Sequence, residues 1–424
     1  MARPSRNPSI QWGKMPSVRG HGRIRSLGAA ALLVAAAGCA ARSGAAPPVA
    51  TEAAAPGGAS GAAAAGPRGT VPFAITTLDL ARDSARQTTV DREAGQYLGH
   101  PSTVLLADGR TIVAVYPKGH GAGPIVMKRS PDGGRTWGER LPVPADWATS
   151  QETPTIFRVA TPAGRARLLL FSGLYPIRLA TSNDDGATWT PLVPIGDFGG
   201  IVAMSSLMPL ADGALMALFH DDGRFLRSGG VAGRFRVYET VSSDAGLTWS
   251  APDVIADDSL ADLSEPGFVR SPDGRQIAVL LRENRRRFTS FVTFSNDEGR
   301  SWTRPRPLPR ELTGDRHVAR YAPDGRLVVT FRDMAAASPT RGDWVAWAGT
   351  YEDLQNGGRG QYRVRLMDNL HEWDCGYAGL EVLPEGAFVA TSYGHWQAGE
   401  EPYIVSVRFT LPELDILARL ARNP

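Results

Sequence analysis

The sequence predicts an all-β fold, a six-bladed β-propeller of four-stranded antiparallel blades, and two repeats carry that prediction. The first is an octapeptide: "SPDGGRTW" (130–137), "SNDDGATW" (182–189), "SSDAGLTW" (242–249) and "SNDEGRSW" (295–302). Its closing residues, Trp137, Trp189, Trp249 and Trp302, stand 52, 60 and 53 residues apart. The second is a hairpin signal, in which two apolar runs flank a tight turn, as in "STVLLADGRTIVAVY", "SLMPLADGALMALFH", "GFVRSPDGRQIAVLL", "VARYAPDGRLVVTF" and "GLEVLPEGAFVATSY". A looser copy is "TIFRVATPAGRARLLLF". An acid–Gly pair between alternating apolar runs favours a two-residue hairpin turn. Strand units recurring at this spacing are the pattern of propeller blades. A sandwich would not repeat so evenly, and helical periodicity for a solenoid is missing.

In chain order, residues 1–38 carry six basic side chains and no acid, ending in the run "SLGAAALLVAAAGC" that closes on Cys39. A basic flank, a short apolar core and small residues read as a secretory signal, too short for a spanning helix. "AAGC" resembles a bacterial lipoprotein cleavage box with Cys39 as the lipidated residue. The expectation is an exported protein of the periplasm or cell surface, attached to membrane only through that lipid. Residues 39–70, almost wholly Ala, Gly, Pro and Ser, read as a disordered tether. Residues 71–424 then form one propeller domain. The six hairpins begin near 101, 153, 205, 266, 317 and 378. The sixth unit lacks a fourth strand of its own, and "FAITTLDL" (73–80) is expected to supply it and close the ring. "LPELDILARLARN" reads as a short terminal surface helix.

The formal charge of +3 comes from the leader: without 1–38 the chain has 40 basic against 43 acidic residues. Bulk charge therefore gives no case for nucleic-acid binding. If Cys39 is lipidated, Cys375 has no partner within the chain. Neither a dinucleotide fingerprint nor a phosphate loop is present, and no spacing of His, Asp and Glu gives a metal-ligand signature, so no cofactor or metal is expected. A monomer is expected.

In a propeller the innermost strands line a central channel whose mouth collects the strand heads. Eight residues before each turn acid stand His100, Met204, Glu265, Arg316 and Tyr377, with Glu152 in the corresponding place of the looser unit. After the second strands come His120, His220, Arg282, Arg332, Asp333 and His395. Polar groups at a blade top can be ordinary loop residues or interblade ion pairs. A whole ring of histidine, tyrosine, arginine and glutamate at one mouth has the profile of an active site.

These features resemble the sialidase (neuraminidase) superfamily over residues of about 95–410, and the octapeptide resembles that family's Asp box, or BNR repeat. In "GYAGLEVLPEG", Tyr377 matches the family's catalytic tyrosine at the head of the sixth blade. Glu265 in "SEPGFVRSPDG" matches its paired glutamate, Arg282 in "LLREN" and Arg316 in "TGDRH" two of its substrate-binding arginines. The resemblance implies an exo-glycosidase that releases terminal sialic acid or a related acidic sugar with retention of configuration. Tyr377 would be the nucleophile and Glu265 its base. A neutral tyrosine can attack a centre beside a carboxylate that would repel a carboxylate nucleophile. Arg282 and Arg316 would grip the substrate carboxylate. His100, Glu152, His220, Arg332 and Asp333 would line the pocket. Two positions depart from the pattern. His100 replaces the first-blade arginine, and "YPKGHGAG" lacks the acid/base aspartate, so His120 is the candidate acid/base. The alternatives are a propeller lyase acting on uronate-containing glycans and a non-catalytic glycan-binding propeller; in each case the partner is an acidic glycan.

Overall fold

The computed structural model describes residues 73–226 and 233–422. The expected secretion signal, the expected lipidation site Cys39 and the expected 39–70 tether all fall outside the described residues. The described chain is a six-bladed antiparallel propeller with two helices, Tyr351–Asn356 and Leu411–Arg422.

Each hairpin supplies the two inner strands of a blade. Blade 1 is Ser102–Leu105, Ile112–Pro117 and Ile125–Ser130, and blade 2 is Thr155–Ala160, Ala166–Ser172, Arg178–Ser182 and Val193–Pro194. Blade 3 runs Ile201–Pro209, Leu215–Asp221, Arg236–Ser242 and Asp253–Ala256. Blade 4 runs Leu263–Arg270, Ile277–Glu283, Phe291–Ser295 and Arg306–Pro307. Blade 5 comprises Gly314–Tyr321, Leu327–Asp333, Trp344–Gly349 and Tyr362–Met367, and blade 6 comprises Ala378–Val382, Phe388–Gly394 and Tyr403–Phe409.

Ring closure differs from the expectation. The strand that completes blade 6 is Gln87–Asp91, antiparallel to Tyr403–Phe409. The 73–80 segment instead places Thr77–Asp79 parallel to Tyr362–Met367, as a fifth strand on blade 5. A short apolar strand satisfies either exposed edge equally well by sequence pattern. The chain between the two strands then carries the closing strand round to blade 6. Blade 5 also lacks the octapeptide and turns through the Tyr351–Asn356 helix instead. Thr350 caps that helix in a reciprocal box with Asp353, and Gly357 ends it at φ 71°.

The octapeptides behave as one device. In each, the Ser hydroxyl accepts the Gly N–H at 2.8 Å, and the Asp carboxylate accepts the N–H and O–H of the following Thr or Ser. Ser130, Ser242 and Ser295 stand in register with Ile112, Leu215 and Ile277, the residues just after the hairpin turns. The octapeptides therefore lie at the hairpin-turn end, opposite the strand heads. Their tryptophans do more than pack under the turn. Trp249 of blade 3 packs edge-on against Phe171 of blade 2, centroids 5.6 Å apart. Trp302 of blade 4 donates to Glu239 of blade 3 at 3.2 Å, and Trp137 of blade 1 donates to Ser406 of blade 6 at 3.3 Å. The apolar clusters are likewise built between blades. Leu170 and Val113 belong to one cluster across blades 1 and 2, and Trp347 and Leu280 to another across blades 4 and 5.

The Asp244 carboxyl of the third octapeptide is held at about 2 against an ordinary 3.8; burial pushes it up, and hydrogen bonds from Thr248 and Ser242 outweigh that. A carboxylate held below its unfolded value stabilises the fold above that value and ceases to do so as pH falls through about 2. Asp244→Ala should therefore lower the unfolding free energy by about 1–3 kcal/mol at pH 7 in a urea titration. The deficit should shrink as pH is lowered from 3.8 towards 2. An unchanged urea midpoint at pH 7 would remove the turn from the list of stabilising elements.

Candidate active site

The strand heads are built alike. His100, Met204, Glu265 and Arg316, each eight residues before its turn acid, all take left-handed φ values of 54°, 48°, 49° and 54°. Hairpin register slips at the same place in blades 3, 4 and 5. Such kinks re-aim a side chain at a strand end. They cost of order 1–3 kcal/mol for a non-glycine residue and persist where the surroundings enforce them. In blade 6 Gly376, φ 85°, takes the left-handed position and Tyr377 follows.

The structure brings Tyr377, Glu265 and Arg282 into contact. The Tyr377 hydroxyl donates to Glu265 Oε1 in a very short hydrogen bond. One terminal nitrogen of Arg282 donates both to Glu265 Oε1, at 2.6 Å, and to the Tyr377 hydroxyl, at 3.1 Å. Tyr377 and Glu265 are buried, 7 and 4 % exposed. Burial pushes the Tyr377 phenol up, and the Glu265 charge adds to it. Burial also pushes Glu265 up, but Arg282 and the Tyr377 hydrogen bond outweigh it and hold the carboxyl below its usual range. His220 accepts the Glu265 backbone N–H on Nδ1 at 3.3 Å, which helps fix the kinked head. Burial lowers His220 to about 4, so its ring is neutral at ordinary pH.

Two groups at this mouth lack partners. Arg316, 7 % exposed, forms no hydrogen bond or ion pair with the described residues, and its fields are those of Glu265, Tyr377 and Glu152. Glu265 Oε2 is buried and accepts nothing. Glu152 is pushed up by burial, while its Oε1 accepts the Thr153 N–H at 2.8 Å. A buried donor and a buried acceptor left open at a concave site are groups that a bound molecule can satisfy.

Beneath the tyrosine lies a residue that the sequence reading passed over, Asp315. It is fully buried and meets three guanidiniums. Arg332 donates to Oδ2 at 2.8 and 2.5 Å, Arg286 donates at 2.5 and 2.6 Å, and Arg282 Nε stands 3.2 Å from Oδ1. Arg332 lies over the Tyr377 ring, 5.4 Å from its centroid, and donates to Trp373 O at 2.5 Å. It supports the site from below and is not free for a ligand. Asp333 does not line the mouth. It is fully buried, pairs with Arg363 at 2.7 Å and accepts from Ser338, Thr340 and the Ala335 N–H, so it secures the turn that follows its strand. His317 likewise turns inward, with Nε2 2.8 Å from Leu312 O and its ring on Phe331.

A second group sits beside Tyr377. Gly121 N–H reaches His100 Nδ1 at 3.1 Å, so Nδ1 is an acceptor and the ring proton is on Nε2. Nε2 then donates to the Tyr393 hydroxyl at 3.1 Å, which donates to Asp374 Oδ1 at 3.1 Å. Burial holds His100 well below its usual value, in keeping with this neutral chain. Asp374 also accepts from Tyr97 at 2.9 and 3.0 Å. His120 Nδ1 is 2.7 Å from the Tyr97 hydroxyl and 3.3 Å from Asp374 Oδ1, with its side chain 56 % exposed. Burial pushes Asp374 up, but hydrogen bonds from His120, Tyr97 and His395 keep it firmly ionised. Tyr97 and Asp374 also escaped the sequence reading. Asp374 is three residues before Tyr377, a proximity that could have flagged it; Tyr97 arrives on a segment outside any repeat.

The Asp315 network gives a direct test. Asp315→Asn leaves three guanidiniums without their shared countercharge in a buried setting, which should cost about 3–5 kcal/mol of stability in a denaturant titration. A loss below about 0.5 kcal/mol would mean that these arginines are solvated in the native protein.

No family model matches the chain. A sialidase of Micromonospora viridifaciens is 28 % identical to it over 331 residues, covering 68 % of this chain and 47 % of the relative. The chain thus spans about half the length of the curated relative it matches. Solved structures share the fold. A protein of unknown function from Dyadobacter fermentans aligns with TM-score 0.61 at 16 % identity, over 76 % of this chain and 97 % of that one. The GH93 alpha-L-arabinofuranosidase of Fusarium graminearum aligns with TM-score 0.55 at 15 % identity, over 77 and 98 % of the two chains. A sialidase of Streptococcus pneumoniae aligns with TM-score 0.53 at 11 % identity, over 77 and 71 %. The likeness in sequence to that sialidase makes the chain a homologue of the sialidases, and the solved structures share its six-bladed fold.

Proposed function

We propose that the protein is an exported exo-glycosidase that releases terminal sialic acid or a related acidic sugar from glycans with retention of configuration. The observation that carries this reading is the hydrogen bond between Tyr377 and Glu265, bridged by Arg282. Burial keeps the phenol protonated at rest, so it can attack only with its proton leaving as the bond to sugar carbon forms. Glu265, held ionised, takes that proton. Water, deprotonated by the group that had protonated the leaving oxygen, then cleaves the tyrosyl–sugar bond while Glu265 returns its proton to the Tyr377 oxygen, and two inversions give retention.

The charge at the mouth favours an anionic substrate. Arg282, Arg286, Arg316 and Arg332 face two ionised carboxylates, Glu265 and Asp315. Arg316, without a partner of its own, is the group on which the substrate carboxylate docks, and Glu265 Oε2 can accept a sugar hydroxyl. His120 protonates the leaving oxygen from the exposed side of the mouth, its ring anchored by Tyr97 and balanced by Asp374. Glu152 is the other proton carrier here, because burial favours its neutral form.

Two measurements test this reading. Tyr377→Phe should cut turnover of a fluorogenic sialoside by at least about 10³-fold while the inhibitor-binding affinity survives; undiminished turnover ends the assignment. For the proton donor, His120→Ala should lose about 10²–10⁴-fold on a natural linkage with a poor leaving group, and far less on an aryl glycoside with a good one. If Glu152→Gln shows that contrast and His120→Ala does not, the role passes to Glu152.

A further inference from the structure

Beside the Asp374 carboxylate stand two more imidazoles. The nitrogens of His371 and His395 and an oxygen of Asp374 all lie within 4.8 Å of one another. His395 Nε2 is 3.3 Å from Asp374 Oδ2, and the two imidazole rings stack with centroids 4.5 Å apart. We propose that His371, Asp374 and His395 form a divalent transition-metal site of the zinc class, on the rim of the active-site mouth.

The frame around the three groups is built in advance. Asn369, 9 % exposed, donates its amide to His371 O at 2.9 Å and accepts the His395 backbone N–H at 3.1 Å. Leu370 N–H donates to His395 O at 3.0 Å, and Asp374 N–H donates to His371 O at 3.1 Å. The 369–374 turn and the end of blade 6 are thereby tied together with both imidazoles on one side. His371 is exposed and its ring forms no hydrogen bond with the described residues, which leaves its nitrogens open to a ligand. Two donors on one tetrahedral zinc stand about 3.3 Å apart. The His395–Asp374 pair already has that separation, and rotation of the exposed His371 ring closes the remainder. Two imidazoles and one carboxylate suit zinc, nickel or copper, whereas calcium and magnesium need more oxygen donors.

The carboxylate joins this site to the mouth. Oδ1 faces Tyr393, Tyr97 and His120, and Oδ2 faces His395 and, at 3.0 Å, the same Tyr97 hydroxyl. A cation on Oδ2 therefore leaves the Tyr393 and Tyr97 contacts on Oδ1 in place, displaces the second Tyr97 contact on Oδ2, and withdraws negative charge from the neighbour of His120. A ligand on the open metal positions would lie at the rim, beside the emerging substrate.

The test uses Zn²⁺ alone with the full chain and does not depend on the glycosidase reading. Calorimetric titration should show one saturable site that Ca²⁺ and Mg²⁺ fail to fill, and Co²⁺ in its place should give a visible absorption band. His371→Ala and His395→Ala should each abolish that site, with His21 or Cys39 unable to substitute. Asn369→Ala, which removes only the frame, should weaken binding about 10–100-fold. Equal one-to-one binding in the wild type and the His371→Ala/His395→Ala double variant, or no saturable Zn²⁺ binding to the wild type below about 100 μM, would overturn the proposal. Circular dichroism of each variant separates loss of the site from loss of the fold.

Discussion

One buried carboxylate, Asp315, sets the position of nearly every charged group below the mouth. Arg286 on both oxygens, Arg332 with two nitrogens on Oδ2 and the Arg282 guanidinium converge on it from two neighbouring blades. Arg282 and Arg286 belong to blade 4 and its following loop, Arg332 to blade 5, and Arg332 in turn reaches the 373–375 backbone that leads into blade 6. Desolvating an ion pair is costly, and it is tolerated where several charge-assisted bonds share the load. Fixing Arg282 through Asp315 aims its other nitrogen at Tyr377 and Glu265. Fixing Arg332 sets the floor under the tyrosine ring. Arg316, adjacent in sequence to Asp315 but rotated away by its left-handed backbone, keeps its guanidinium unspent.

Stability and chemistry are thereby placed at opposite ends of the blades. The octapeptides, with their short turns and tryptophans reaching to the preceding blade, sit where the hairpins turn. The strained strand heads sit at the other end. Four non-glycine left-handed residues would weaken an isolated hairpin. In the closed ring they are held by apolar packing on both sides of every blade and by the clasp of Gln87–Asp91 on the last one. The cost is met by the ring as a whole, so the mouth can hold geometry that no single blade would keep.

Much of this arrangement was legible in the sequence, and the reasons differ by element. Hairpins declare themselves through local turn chemistry, and their common offset from the turn acid is enough to set His100, Glu265, Arg316 and Tyr377 at one mouth. The closing strand was assigned to the wrong edge because a three- or five-residue strand has no local signature for its partner. Asp333 was placed at the mouth because it follows Arg332, yet successive strand residues face opposite ways. Asp315 could have been inferred, since hairpin register sets it opposite Arg332. Asp374 is signalled only by its closeness to Tyr377, and Tyr97 by nothing local, because their value lies in contacts between an irregular loop and the entry segment, across 277 residues of chain.

The two departures from the sialidase pattern prove to be one physical change. His100 stands where an arginine is usual, and its Nδ1 is occupied by the N–H of Gly121, a residue of the loop that lacks the usual aspartate. That loop is tight: a side chain at Gly119 would meet Ala122 O at 2.4 Å, and one at Gly123 would meet Lys118 O at 2.3 Å. An arginine in place of His100 would need the space that Gly121 and His120 fill, and would bring a cation against the hydroxyl of Tyr393. A neutral histidine lets the loop fold inward and puts His120 within reach of Tyr97 and Asp374. Negative charge thus moves from the first-blade loop to the sixth-blade approach, at Asp374. The first-blade side has no arginine at His100, and the guanidiniums at the mouth come from blades 4 and 5. On the proposed function, a substrate seated in this mouth would be gripped from the blade 4 and blade 5 side and protonated from the side of His120.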